Sequence, residues 1–148
     1  MSDSGTIHGG HCLCRAVKFE AAGASEWVGN CHCESCRRAT GAPMATFAGY
    51  RESTFTYSAG TPRAQHSAPG VTREFCGDCG TALTYRNEVL GDAVHVLVAA
   101  FDNPADFEPM THVFYGERLP WLIIGDNLPK YETLAGHRVD FSSDRDKS

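Results

Sequence analysis

The placement of cysteine constrains this chain more than any other feature: seven occur in 148 residues, as Cys12-x-Cys14, Cys31-x-Cys33-x-x-Cys36 and Cys76-x-x-Cys79. Three observations count against a disulfide framework. The number is odd, and Cys12/Cys14 and Cys31/Cys33 are each separated by a single residue, where a bridge is geometrically awkward. The opening MSDSGTIHGG also has neither the basic n-region nor the apolar h-region of an export signal. Reduced thiols are the better reading, in a soluble, unsecreted, cytoplasmic protein.

Thiolates at such spacings are metal ligands. Zinc takes them at tetrahedral corners, so four ligands close a structural site, whereas three protein ligands leave one corner for water or substrate. Seven thiolates divide into one closed site and one open one. In Phe75-Cys76-Gly77-Asp78-Cys79-Gly80 the glycines allow the backbone turn of a zinc knuckle, and Cys12 and Cys14, read as lying on one side of an extended segment, can supply the partner pair. Cys31 and Cys33 likewise share a side, with Cys36 on the following turn, so one short segment offers three corners by itself. Spacing leaves other partitions open: Cys31 and Cys33 could pair with Cys76 and Cys79, or His11 or His32 could fill the fourth corner. His32, between two ligands on an extended stretch, is expected to point away from a metal they share. His95 and His112 sit in strand-like stretches and read as surface or satisfied core histidines.

The rest of the chain is a scaffold for these clusters. With 42% hydrophobic residues it can bury a core and is sized for one domain. Apolar and polar residues alternate in Ala16–Glu20, Ala45–Ala48, Thr54–Tyr57, Thr72–Phe75, Ala82–Tyr85, Val94–Val98 and Thr111–Tyr115, and Gly and Pro punctuate them. Helical patterning is confined to Glu34–Ala39 and a turn at Asn103–Phe107. The expected organisation is a flexible N-terminus over 1–7, one zinc-binding domain over 8–135 and a tail over 136–148 whose end lacks apolar residues. A net charge of -5 with no basic patch argues against nucleic acid, and the longest apolar runs are too short to span a membrane.

Three stretches resemble the glutathione-dependent formaldehyde-activating enzyme family, whose domain is also found in centromere protein V. They are Gly10-His11-Cys12-Leu13-Cys14 followed by Ala16-Val17, Cys31-His32-Cys33-Glu34-Ser35-Cys36-Arg37-Arg38-Ala39-Thr40-Gly41-Ala42-Pro43, and Phe75-Cys76-Gly77-Asp78-Cys79-Gly80-Thr81. A weaker echo runs through His112 and Pro120-Trp121 to Leu128-Pro129. The resemblance implies a mainly β, tent-like arrangement of antiparallel sheets with zinc knuckles and very little helix. It also implies two zinc ions per chain, a structural one on Cys12, Cys14, Cys76 and Cys79 and an open, catalytic one on Cys31, Cys33 and Cys36. Arg15 departs from the family, which usually has glycine after the second cysteine.

A trithiolate zinc suits a soft ligand, so the implied partners are a small-molecule thiol and an aldehyde, joined or cleaved at a carbon–sulfur bond. Arg37 and Arg38 are candidates for pairing with a substrate carboxylate. Thr40 and Gly41 are read as shaping the turn beneath the site, Phe47 and Trp121 as core. The competing expectation is a non-catalytic, zinc-stabilised protein-binding module, with redox sensing a third. A fourth protein ligand on the second cluster would favour the module.

Overall fold

In a computed structural model of the chain, residues 5–133 and 138–139 are described. The first four residues of the expected flexible N-terminus and, apart from Arg138 and Val139, the expected tail lie outside them. The strands in chain order are β1 (Ile7–His11), β2 (Lys18–Ala22), β3 (Trp27–Cys31), β4 (Ala45–Arg51), β5 (Phe55–Ala59) and β6 (Arg63–Ala68). They continue as β7 (Val71–Phe75), β8 (Ala82–Asn87), β9 (Ala93–Leu97), β10 (Thr111–Val113), β11 (Lys130–Tyr131) and β12 (Arg138–Val139). A single α-helix, α1 (Glu34–Thr40), interrupts them among the described residues. The mainly β expectation therefore holds, and α1 falls where Glu34–Ala39 was expected. Asn103–Phe107 forms only a 3-10 turn over Pro104–Asp106.

The described residues gather into two compact units, one of residues 5–27 with 47–107, the other of residues 28–46 with 108–133 and 138–139. In the first, β1, β2 and β5 form one antiparallel sheet, while β4, β9, β8, β7 and β6 lie side by side in that order, each antiparallel to the next. Alternation puts Phe19 and Ala21 of β2, and Val94 and Val96 of β9, on buried faces. Phe19 packs edge-on against Phe101, with centroids 5.2 Å apart, and Phe101 stacks on Phe107 at 4.1 Å. Such aromatic pairs add packing energy beyond the area they bury.

One polar network interrupts this core. Glu74 Oε1 on β7 accepts hydrogen bonds from the Tyr57 hydroxyl on β5 (2.8 Å) and the Thr84 hydroxyl on β8 (2.7 Å), and also from the Arg86 guanidinium. Arg86 is bonded in turn to Glu52. Burial pushes the Tyr57 hydroxyl well above the ordinary tyrosine value, so it stays a donor at any physiological pH.

The second unit is built on parallel pairing. β10 lies beside β3, with Thr111 opposite Gly29, His112 opposite Asn30 and Val113 opposite Cys31, and beside β11 on its other edge. β11 and β12 pair antiparallel. The expected strand Thr111–Tyr115 stops at Val113, because Phe114 turns into the left-handed region at φ 52° and ψ 39°. Tyr115 is thereby sent inward and is fully buried. Trp121, expected in the core, is 65% exposed, whereas Phe47 is buried as expected. Trp121 lies in an irregular segment whose backbone offers no sheet face to bury it.

Replacing Glu74 with alanine would strip Tyr57, Thr84 and Arg86 of a shared acceptor at a site only partly open to water. The expected loss is roughly 1–3 kcal/mol, read as a lower urea midpoint with an unchanged slope.

Candidate metal centres

All seven cysteines are free of disulfides, and their sulfurs converge in two groups, Cys12, Cys14, Cys76 and Cys79 in the first unit, and Cys31, Cys33 and Cys36 in the second. Within each group every Sγ lies within 4.8 Å of the others. Separations within the groups include 3.6 Å for Cys12–Cys14, 3.7 Å for Cys14–Cys76 and 3.4 Å for Cys31–Cys33. A zinc–sulfur bond of about 2.3 Å at tetrahedral angles puts sulfurs about 3.8 Å apart. Both groups therefore fit a zinc ion, and the partition into four and three is the one spacing favoured.

The closed group is made by two turns. Cys76 follows β7, and its Sγ accepts the N–H groups of Asp78 and Cys79, each at 3.4 Å. The Gly80 N–H returns to the Cys76 carbonyl at 2.8 Å with φ 80°, a conformation glycine adopts at no steric cost. Cys12 and Cys14 were expected on an extended segment, and here the structure differs. They lie in a turn closed by the Arg15 N–H on the Cys12 carbonyl at 3.0 Å, while the Val17 N–H donates to the Cys12 sulfur at 3.3 Å. Arg15 carries φ 69°. That explains why the family's usual residue is glycine: the turn demands a left-handed residue, and this chain meets the demand with a strained arginine.

The three-sulfur group is made by a strand end and a helix start. Cys31 closes β3, Cys33 is the N-cap of α1 with extended φ and ψ, and Cys36 sits in the first turn. The Cys33 Sγ accepts the Cys36 N–H at 3.3 Å, so this sulfur also caps the helix. Gly41 ends α1 in the left-handed conformation, and the Thr40 hydroxyl bonds the Cys36 carbonyl at 2.7 Å. These two residues thus finish the helix that carries Cys36. Cys31 and Cys36 are buried, and Cys33 is partly exposed.

Electrostatics favour a cation in both groups. Cys31 is pushed up by its hydrogen bonds with Cys33 and Cys36 and by burial, since sulfurs this close cannot all ionise unless a positive charge sits among them. In the closed group Cys79 is pulled down to about 5, led by the Thr81 hydroxyl at 3.1 Å. Cys14 is pushed up to about 12; a backbone hydrogen bond from Ala16 favours its thiolate but is outweighed by the Cys12, Cys79 and Cys76 sulfurs and by burial.

Neither His11 nor His32 belongs to a ligand group among the described residues. His11 bonds the Cys12 carbonyl through Nδ1 at 2.6 Å and faces Asp102 at 3.4 Å. The His32 side chain, pointing away from the sulfurs as expected, is fully buried and bonded through Nε2 to His112 Nδ1 at 2.9 Å. His112 bonds Asp126 Oδ2 through Nε2 at 2.9 Å. His112 is thus a satisfied core histidine, but its partners reach the open site, and Asp126 carried no signal in the sequence. His95 packs among Trp27, Phe47 and Tyr85, and burial holds it below the ordinary histidine value. Arg37 donates from Nη1 to the His32 carbonyl (2.7 Å) and the Glu117 carbonyl (2.6 Å). Arg38, 80% exposed, pairs with Glu34 at 2.8 Å.

Arg15→Gly should relieve a left-handed strain of ~1–2 kcal/mol that exceeds the added entropy of glycine in the unfolded chain. Metal-loaded protein is expected to melt a few degrees higher, with unchanged metal content.

Comparison with known proteins agrees with this geometry. A curated relative, named as an uncharacterised lyase of Schizosaccharomyces pombe, is 29% identical over 76 residues, covering 51% of this chain and 55% of the relative. The chain thus matches little more than half the length of that protein. A crystal structure of a Rhodobacter sphaeroides protein has a similar fold, with a TM-score of 0.58 at 23% identity over 71% of this chain and 99% of that one. The family model for the glutathione-dependent formaldehyde-activating enzyme matches residues 7–117, a span that holds both sulfur groups. The chain belongs to the glutathione-dependent formaldehyde-activating enzyme family.

Proposed function

We propose that the chain is a zinc-dependent carbon–sulfur lyase acting on adducts of a thiol with a small aldehyde, of the S-hydroxymethylglutathione type. The observation that supports this reading most is the three-sulfur group. Among the described residues no fourth side chain joins Cys31, Cys33 and Cys36, and Cys33 is partly open to solvent. The family model and the lyase name of the yeast relative point the same way.

In the synthetic direction one thiol adds across the carbonyl of one formaldehyde to give an S-hydroxymethyl thioether, with no other product. The sulfur electron pair forms the carbon–sulfur bond, the carbonyl π pair moves to oxygen, and the thiol proton ends on that oxygen; the lyase direction reverses each change. Cys31, Cys33 and Cys36 would hold a zinc ion, whose positive charge would let a substrate thiol lose its proton near neutral pH. Cys12, Cys14, Cys76 and Cys79 would hold a second zinc with four thiolates, which would serve folding. Arg38 is the better placed of the two arginines to meet a substrate carboxylate, because its exposed pair with Glu34 is worth little and can be exchanged. Arg37 is occupied by two carbonyls and braces the loop beneath.

The reading is tested by exchange NMR of formaldehyde with glutathione and with several other thiols. Protein carrying two zinc ions should accelerate adduct formation and cleavage, and Cys33→Ala should hold one zinc, stay folded and lose the acceleration. Two zinc ions with no acceleration for any thiol would sink the lyase and leave a zinc-stabilised binding module. Arg38→Ala is expected to raise KM about five-fold, equivalent to about 1 kcal/mol, for thiols bearing a carboxylate. Its kcat should be unchanged, and cysteamine, which has no carboxylate, should be unaffected.

A further inference from the structure

His32 is held more tightly than a residue between two ligands needs to be. Its N–H donates to the Val113 carbonyl at 3.1 Å, its carbonyl accepts from Arg37 Nη1 at 2.7 Å, and its ring is bonded to His112. The Tyr115 ring packs edge-on against His32 at 5.1 Å and against His112 at 5.6 Å. Arg118 and Lys130 lie over that ring, 4.6 Å and 5.6 Å from its centroid.

Asp126 gives the chain of hydrogen bonds its direction. The carboxylate accepts the Leu128 N–H at 3.0 Å and faces the Lys130 ammonium at 3.6 Å. An acceptor at Asp126 makes His112 Nε2 the donor. In the neutral ring His112 Nδ1 is then an acceptor, and His32 Nε2 donates to it. One carboxylate thus sets the tautomer and ring plane of both histidines, much as outer residues orient the histidine ligands of metal sites. Here the oriented residue is not a ligand; it is the link between two of them.

We propose that Asp126 and His112 are positioning residues for the three-sulfur site: by fixing His32 they fix the directions of the Cys31 and Cys33 sulfurs, holding three corners of a tetrahedron ready and the fourth accessible. This rests on the reading of Cys31, Cys33 and Cys36 as a metal site. Because Cβ vectors alternate along an extended stretch, a rotation at residue 32 swings both neighbouring sulfurs. The three sulfurs come from six consecutive residues, so an unbraced segment would lose their common focus. Asp126 lies beyond the span matched by the family model.

The test uses the full chain loaded with cobalt(II), whose d–d bands report the geometry of each thiolate site, and zinc affinity by chelator competition. His112→Phe keeps ring volume and removes both hydrogen bonds, Asp126→Leu removes the terminal acceptor together with its Leu128 and Lys130 contacts, and Asp126→Asn retains an acceptor. The first two are expected to weaken the second site by about ten- to a hundredfold and shift its bands, with the four-sulfur site unchanged. Asp126→Asn should recover most of the affinity. Unchanged bands and affinity in Asp126→Leu would overturn the proposal, as would parallel weakening of both sites, which marks a general folding role. Wild-type protein that binds only one cobalt would overturn the underlying site reading as well, and so separates the two failures.

Discussion

Sulfur atoms held 3.4 to 3.7 Å apart can all ionise only with a cation among them, and the rest of the structure depends on that electrostatic requirement. Each sulfur group ends elements that would otherwise fray: Cys12 follows β1, Cys76 follows β7, and Cys31 closes β3 while Cys33 begins α1. Cys14 and Cys76 are separated by 62 residues in sequence, so a metal shared by them would close a long loop of the chain. The second group closes almost no loop, because its three members lie within one short segment. By loop closure alone, a metal held by the four-sulfur group would constrain far more of the chain than one held by the three-sulfur group.

The backbone around each sulfur is specialised in a different way. In the closed group, N–H donors from Val17, Asp78 and Cys79 converge on Cys12 and Cys76, partially neutralising thiolate charge there. In the open group one such donor, from Cys36, also starts the helix, so the Cys33 sulfur serves its cluster and the helix start at once. Arg37 then ties the helix to the His32 and Glu117 carbonyls, and the Glu34 N–H donates to the Glu117 carboxylate at 3.0 Å. A seven-residue helix has little stability of its own, which makes these external ties decisive.

The partition of seven cysteines and the position of α1 were legible because ligand geometry is local and thiol chemistry is narrow. Strands with one buried face were also legible, since β2 and β9 keep a clean alternation. β6 was not: all six of its residues are exposed, so the pairing with β7 that defines it leaves no hydrophobic trace. Nor was the left-handed turn at Phe114, which cuts β10 short and buries Tyr115 by a conformation that bulky residues seldom adopt. The His32–His112–Asp126 chain was out of reach for a further reason. It exists only because parallel pairing sets β10 beside β3, and parallel neighbours are joined by long connections that leave no local signature.

That parallel pairing also fixes an order in time. The segment bearing Cys31, Cys33 and Cys36 leaves the ribosome well before the strand that braces it, since His32 and His112 are 80 residues apart. Strand β10 enters the sheet only after most of the chain has been made. The Cys31–Cys36 segment is therefore made long before β10, and the bond from its His32 to His112 is one of the last contacts it can gain.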